Sequence, residues 1–224
     1  MKERGIIFNG EMVRATLDGR KTQTRRIVKH QPDEDGLARL NGGPWMDTSE
    51  RVYRCPFGQV GDRLYVRETF AILGNEDGCP IDWNGNLIKG DEKQAARIYK
   101  ASCWQEPGNY GLWSIPDRDI QYEGAWRPSI HMPRWASRIL LEITDVRVER
   151  LNDISEEDCW SEGIDEVDGR FENIEIIDMA LKIGCCAEDA KPTFALLWQS
   201  IYGEESWDAN PWVWAITFKR IKGA

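Results

Sequence analysis

The sequence predicts an α+β domain built on a small β-barrel, with flanking helices and long loop insertions. Short strand-like segments lie far apart along the chain with few helices between them, which is typical of that architecture. Hydrophobic residues at 41% and charged residues at 30% match an average globular domain, and 224 residues are enough for one well-buried core. We therefore predict a single domain over 1–224, with insertions at about 31–60, 71–126 and 164–190.

The N-terminal part predicts a helix followed by a basic strand. Residues 11–18 have a helical pattern that stops at Gly19, a residue suited to a left-handed helix end. The run 20–28 alternates and holds two threonines, which favours a strand. One face of that strand would carry Thr22, Thr24 and Arg26.

Four further segments predict strands. Residues 63–70 follow a Gly-Asp turn and are rich in strand-forming side chains, and residues 97–100 fit a short strand. Residues 137–151 give the longest strand, and a change of phase there predicts a bulge near Asp145. The run 212–219 predicts a terminal strand.

Three segments after residue 150 predict helices. Ser155 lies three residues before an acid, so a helix should begin there and run to about Glu162, before Gly163. A second helix is predicted over 173–182. A third is introduced by Pro192 and ends before Gly203. Its apolar face carries Phe194, Leu197, Trp198 and Ile201.

The charge is unevenly distributed along the chain. The net charge is -9, yet residues 1–29 carry +5 and residues 152–189 carry -11. Because phosphate backbones are bound through Lys and Arg, the acidic total counts against a long polyanion as ligand. The net negative charge does not argue against a small nucleobase ligand bound at the basic N-terminal segment.

The composition argues against several kinds of site. The six cysteines form no C-x-x-C pair and there are only two histidines, so we predict no metal and no cofactor, with free buried thiols. With only short apolar runs and no signal peptide, we expect a cytoplasmic protein without membrane contact. The eleven tryptophans fill a core or stack on flat ligands. The core interpretation is favoured for Trp198, Trp212 and Trp214.

Three motifs follow one another along the chain. They are G-x-K-x-x-x-x-R at 19–26, G-D-x-L-x-V at 61–66, and a helix motif at 155–162 that begins Ser-Glu and ends in Glu. Together they resemble the ASCH domain family of the PUA-like superfamily, small β-barrels that handle RNA or modified nucleobases. The terminal strand fits as the strand that closes the barrel, and the whole arrangement with its insertions is similar to prophage-type ASCH proteins.

One departure from the family pattern implies a more specific activity. Thr24 stands where the family usually has Glu. This resembles the small ASCH enzymes that hydrolyse N4-acetylcytidine, which have Lys, then Thr three residues on, then Glu at the end of the later helix. The resemblance implies a metal-independent amidohydrolase that removes an acyl group from N4 of a modified cytidine nucleoside or nucleotide. Its catalytic residues would be Lys21, Thr24 and Glu162.

The chemistry of these side chains suits that reaction. Amide hydrolysis needs a nucleophile, a proton acceptor for it and a proton donor for the leaving amine. Thr24 is the nucleophile or orients a water, Lys21 serves as base if burial or Arg26 depresses its pKa, and Glu162 shuttles the proton or holds Lys21. The alternative is a solvated basic face that contacts phosphate, with Glu162 as a helix-end charge.

Further residues are candidates for binding the substrate. Arg and aromatic side chains interleave over 126–138, which suits stacking on a base and contact with its phosphate. Trp135 is the best stacking candidate, with core packing as an equal alternative, and an adjacent Arg-Glu pair at 67–68 is alternatively a surface ion pair. The candidate binding residues are Arg26, Arg67, Glu68, Arg134, Trp135 and Arg138.

The sequence is also compatible with two other functions. The first is a PUA-like module that binds single-stranded RNA or a flipped modified base without chemistry. The second is an ASCH-type ribonuclease. The acidic total favours a small ligand over a polymer, which places the amidohydrolase ahead of both.

Overall fold

A computed structural model describes residues 1–32, 35–39, 44–75, 77–103, 110–114, 121–164 and 171–221. These residues form a mixed α+β structure with four α-helices, as the composition and period predicted. The helices are α1 (Gly10–Leu17), α2 (Glu156–Ser161), α3 (Asn173–Ile183) and α4 (Ala190–Tyr202). The strands are β1 (Glu3–Ile7), β2 (Gln23–Ile27), β3 (Ala38–Arg39), β4 (Trp45–Met46), β5 (Val52–Tyr53), β6 (Arg63–Arg67), β7 (Phe70–Ile72), β8 (Arg97–Tyr99), β9 (Tyr110–Ser114), β10 (Gln121–Ala125), β11 (Leu140–Arg150) and β12 (Trp212–Arg220).

The described residues divide into two compact units. Unit 1 consists of residues 1–2, 15–63 and 141–220, and unit 2 consists of residues 3–14, 64–140 and 221. The predicted insertions at about 31–60 and 164–190 therefore belong to unit 1, and the one at 71–126 belongs to unit 2. The sequence that forms unit 1 is interrupted by the sequence that forms unit 2.

The main sheet of unit 1 places β12 between β11 and β2, with both pairings antiparallel. Ala215 of β12 lies opposite Arg25 of β2 on one side and opposite Arg147 of β11 on the other. The register of β11 against β12 shifts between Ile143 and Asp145, so the predicted bulge is confirmed. Because directly opposed residues share a face of a sheet, Arg25, Ala215 and Arg147 form one row.

The helices of unit 1 bury an aromatic core. Phe194 and Trp198 of α4 pack with their ring centroids 6.2 Å apart, and Trp207 lies edge-on to Phe194 at the same distance. The α4 helix begins two residues before Pro192, which is tolerated in the first turn because the amide groups there have no partner within the helix. Ile201, predicted on the buried face, is 44% exposed.

Unit 2 contains strands where the sequence pattern predicted irregular chain. The residues between 71 and 126 include the end of β7 and the antiparallel pairings β7–β8 and β9–β10. In unit 1, the predicted loop at 31–60 likewise holds the three-stranded sheet β3–β4–β5. Strand β8 matches the short strand predicted at 97–100. The other strands of two to five residues are too short to show a convincing alternation, which is why the pattern missed them. The sheets of the described residues are open in their strand order, and the barrel stays a prediction.

The tryptophans and cysteines differ in how deeply they are buried. Trp198 and Trp214 are buried, as predicted, but Trp212 is half-buried under the guanidinium of Arg150 at 4.6 Å. All six cysteines are free thiols, and Cys159 is buried, whereas others are partly or fully exposed. None of the helices in the described part of the chain has the length and apolar character needed to span a bilayer.

Candidate active site

Three elements of unit 1 bring charged side chains together: β2, β11 and α2. The α2 helix begins after Ser155, whose Oγ accepts a hydrogen bond from the backbone N of Asp158 at 3.1 Å. Asp158 and Glu162 are four residues apart and so lie on the same side of this helical turn. Gln23 and Arg25 alternate along β2 and share a face of the strand.

Lys21 and Glu162 form a buried ion pair. The Lys21 Nζ donates to Glu162 Oε2 at 2.7 Å and to the backbone oxygen of Glu162 at 2.9 Å. Only 1% of the Lys21 side chain and 5% of the Glu162 side chain are exposed. Burial lowers the pKa of Lys21; the Glu162 carboxylate opposes this shift, and the charges of Arg26 and Arg25 add to it.

The backbone around Lys21 is held by its neighbours in unit 1. Lys21 N donates to the carbonyl of Ala15 at 3.0 Å, and Thr22 N donates to the carbonyl of Ser161 at 2.8 Å. Gly163 follows Glu162 with a φ of +87°, a left-handed conformation that favours glycine. These contacts fix the start of β2 against the end of α2, which is where Lys21 meets Glu162.

Arg25 extends the pair into an ion-pair cluster. This cluster is made of Lys21, Arg25, Arg147, Glu149, Asp158 and Glu162. Arg25 Nη1 donates to Glu162 Oε1 at 3.2 Å, and its Nε and Nη2 donate to Glu149 Oε1 at 2.9 and 2.6 Å. Arg25 Nη2 also donates to Asp158 Oδ2 at 2.8 Å. Its side chain is 0% exposed.

Arg147 closes the cluster on its more exposed side. Its Nε donates to Glu149 Oε2 at 2.9 Å, and its Nη2 donates to Asp158 Oδ2. Gln23 braces Arg25 by accepting from Nη1 at 2.6 Å, while its own amide donates to Asp158 Oδ1 at 3.1 Å. The cluster thus pairs three cations with three carboxylates, which limits the penalty of burying each charge.

Thr24 and Arg26 lie on the other face of β2 from Arg25. Thr24 is opposite Ile216, and Arg26 is opposite Trp214. Arg26 Nη1 donates a hydrogen bond to the buried Thr24 hydroxyl at 3.0 Å. The structure therefore joins Lys21 to Glu162 directly, whereas Thr24 is joined to Arg26. Arg26 is linked to the pair through its charge, which lowers the pKa of Lys21.

The other predicted binding residues belong to unit 2, whereas Lys21, Thr24, Arg26 and Glu162 belong to unit 1. Arg138 holds the buried Glu68 through Nε and Nη2, each at 2.9 Å. Arg67 donates to the backbone oxygen of Ile130.

Two more predicted binding residues of unit 2 differ in exposure: Arg134 is exposed, and Trp135 packs against a buried apolar cluster. Arg134 pairs with Glu3 at 2.7 Å. Trp135 is half-buried, with the guanidinium of Arg97 5.2 Å from the centre of its ring. These cations and this ring make specific contacts within unit 2, and their role in substrate binding stays a prediction.

Most of the ion-pair cluster is absent from the site that the sequence predicts. The residues not predicted are Arg25, Arg147, Glu149 and Asp158, together with Gln23, which braces Arg25. Alternation along two strands and the four-residue spacing on α2 were signals available in the sequence. They do not show which strand lies beside which, and that pairing is what brings the charges together.

Comparisons with protein-family models, with curated proteins and with solved structures find no match. The ASCH resemblance therefore stays a prediction based on the three motifs. Within the described ranges, there is no group of three or more His, Cys, Asp or Glu side chains placed to hold a metal ion.

Proposed function

We propose that this protein is an amidohydrolase that removes an acyl group from N4 of a modified cytidine, with Lys21 and Glu162 as its proton-transfer pair. The observation that carries the proposal is a buried lysine whose pKa is lowered and whose amine lies 2.7 Å from a carboxylate. A lysine acts as a base only after it loses its proton, so a depressed pKa suits it to this role.

The proposed reaction is the hydrolysis of an amide bond by water. Water attacks the acyl carbon, and neutral Lys21 accepts one of its protons, with Glu162 stabilising the resulting ammonium. The bond between the acyl carbon and N4 then breaks, and N4 receives the proton from Lys21. The products are the free carboxylic acid and the cytosine amine.

Thr24 and Arg26 are proposed to bind the substrate's acyl oxygen. Thr24 Oγ1 already accepts a hydrogen bond from the Arg26 guanidinium, which makes this oxygen a poorer nucleophile than water. Its hydroxyl can still donate its own hydrogen. A hydroxyl donor beside a guanidinium suits the negative charge that develops on the acyl oxygen in the transition state.

The fold is proposed to be a PUA-like barrel of the ASCH type. The three motifs of the resemblance correspond to β2 with the residues before it, to β6, and to α2. The lysine of the first motif and the final glutamate of the third meet in the ion pair. This meeting supports the residue assignments on which the proposed activity depends.

The test is hydrolysis of N4-acetylcytidine, followed by the ultraviolet change as cytidine is released. We expect turnover by the unmodified protein and a loss of about 10²-fold or more in Lys21→Met and Glu162→Gln. Thr24→Val should lower the rate, and Thr24→Ser should retain most of it. The matched controls are Lys219→Met and Glu142→Gln, because the exposed Lys219 and the half-buried Glu142 form an ion pair at 3.0 Å in the same unit.

The results also separate the proposal from its alternatives. If the unmodified protein does not hydrolyse N4-acetylcytidine but binds single-stranded RNA in a salt-sensitive way, the protein is a binding module and the proposal is wrong. Cleavage of that RNA would identify a ribonuclease instead. Turnover that survives both Lys21→Met and Glu162→Gln would show that the catalytic residues lie elsewhere.

A further inference from the structure

Arg25 is the most deeply buried member of the ion-pair cluster, yet no step of the proposed reaction uses it. Its side chain is 0% exposed and makes five hydrogen bonds to the side chains of Gln23, Glu149, Asp158 and Glu162. Its Nε, Nη1 and Nη2 all take part, so the fork of the guanidinium is fully engaged. Lysine, with a single nitrogen, cannot reproduce this arrangement.

Stability alone is a weak explanation for such a group. Replacing a buried ionic cluster by well-packed apolar residues is often neutral or stabilising, because the charges must be removed from water. A row of apolar side chains would also suit the position of Arg25, which lies opposite the fully buried Ala215. A buried guanidinium at this position therefore indicates that a precise arrangement of hydrogen bonds is needed there.

The two oxygens of the Glu162 carboxylate are held by different cations. Arg25 Nη1 holds Oε1 at 3.2 Å, and Lys21 Nζ holds Oε2 at 2.7 Å. A carboxylate that is bonded on one oxygen cannot rotate freely about its terminal bond, so Arg25 determines where the other oxygen points. Glu149 and Asp158 fix Arg25 in turn, each through a charge-assisted hydrogen bond.

We infer that Arg25 is a positioning residue, which turns Glu162 Oε2 toward Lys21 and holds it there during proton transfer. This inference rests on the proposed function, in which Lys21 and Glu162 carry the proton. Arg25 also places a positive charge on the far side of Glu162, and this charge helps to keep the pKa of Lys21 low.

The test replaces the fork and keeps the charge, in Arg25→Lys. Because a misplaced group can lower the rate by up to about 10²-fold, we expect kcat for N4-acetylcytidine to fall by about ten- to a hundredfold with KM nearly unchanged. Arg25→Gln removes the charge as well, and should also move the acid limb of the kcat profile to higher pH. Arg220→Lys is the control, since Arg220 is exposed on β12, and its kcat should not change.

A variant at the exposed side of the cluster covers the case in which Arg25→Gln fails to fold. Glu149 is only partly buried, and its Oε1 accepts two of the five hydrogen bonds from Arg25. Glu149→Ala should therefore lower kcat in the same way as Arg25→Lys, by a smaller factor. Arg25→Lys and Glu149→Ala proteins that lose thermal stability but keep the wild-type kcat and pH profile would overturn the inference.

A measurement without substrate separates this inference from the proposed function. The pKa of Lys21 is followed by nitrogen NMR of its ammonium group in the unmodified protein and in Arg25→Lys, which keeps the positive charge and removes the guanidinium, or, if that variant does not fold, in Glu149→Ala. A changed pKa of Lys21 supports the positioning role even if N4-acetylcytidine is not hydrolysed. An unchanged pKa means that Arg25 does not control the pair, whatever reaction the protein catalyses.

Discussion

Gly163 lies directly against Lys21. A Cβ atom built on Gly163 would be 2.9 Å from the Cβ of Lys21 and 2.8 Å from the Cβ of Ala15. These distances are shorter than side-chain carbons tolerate, and the φ of Gly163 is +87°, a value that costs other residues energy. The lysine reaches Glu162 because the residue after the glutamate has no side chain.

Gly163→Ala should therefore destabilise the protein by about 2–4 kcal/mol, as the sum of backbone strain and a local clash. It should also lower activity, because the clash displaces Lys21. Gly184→Ala is the matched control: its φ is +73°, and nothing lies within 4 Å of the added carbon. We expect about 1–2 kcal/mol there, from strain alone, with activity unchanged. Urea unfolding and initial rates measure both quantities.

Two neighbours of Lys21 should shift its pKa in opposite directions. Burial is the largest cause of the lowered pKa of Lys21. Glu162 raises this pKa, and Arg26 lowers it. Glu162→Gln should therefore lower this pKa further, and Arg26→Gln should raise it. The nitrogen NMR titration of Lys21 measures both shifts.

In the active protein, the same shifts should move the acid limb of the rate profile. The limb moves to higher pH in Arg26→Gln, because the reaction needs neutral Lys21. Glu142→Gln, which removes a half-buried carboxylate from the same unit, should leave the titration of Lys21 unchanged. Shifts of the same sign in Glu162→Gln and Arg26→Gln would contradict the electrostatic account.

The lowered pKa of Lys21 also predicts how stability changes with pH. In the unfolded chain Lys21 has the ordinary lysine pKa of about 10.4. Between that value and its lowered pKa in the folded protein, the unfolded chain binds more protons than the folded protein. The wild type should therefore gain stability relative to Lys21→Met as pH rises through that window. Below the window the penalty of burying the ammonium applies in full. Urea unfolding at several pH values checks this, with Lys219→Met as the control that stays parallel to the wild type.

Ser155 should contribute to stability as the N-cap of α2, the helix that carries Asp158 and is followed by Glu162. Its Oγ accepts a hydrogen bond from Asp158 N at 3.1 Å. Ser155→Ala should reduce stability by about 1 kcal/mol. Ser200→Ala is a suitable control because Ser200 lies near the end of α4 and is exposed, and its effect should stay within about 0.5 kcal/mol. Equal effects in the two variants would count against the capping role.

Local signals in the sequence predicted several elements well. A serine cap and a following glycine bounded α2, and a change of alternation located the bulge near Asp145. These features depend on residues within a few positions of one another. The helix predicted over 173–182 also matches α3 for the same reason.

The candidate site could be predicted only in part. The resemblance supplied Lys21 and Glu162, and the structure pairs them. The role of Thr24 stays a prediction: alternation along β2 puts it on the other face from Arg25, where it pairs with Arg26. Arg25 itself looked like one cation in a solvated basic run. Its burial depends on carboxylates more than 100 residues away, and no local pattern encodes that pairing.

The interrupted sequence of unit 1 has a consequence for how the protein folds as it is made. Strand β2 pairs with β12, so the ribosome must synthesise residues 64–140 of unit 2, and then the chain up to β12, before β2 meets this neighbour. The carboxylates of Glu149, Asp158 and Glu162 are synthesised before β12 but after residues 64–140, so Lys21 and Arg25 remain hydrated while all of those residues are made. Contacts of such high sequence separation fold slowly, on the order of milliseconds to seconds. The ion-pair cluster is thus expected to assemble late, after α4 has formed its local turns.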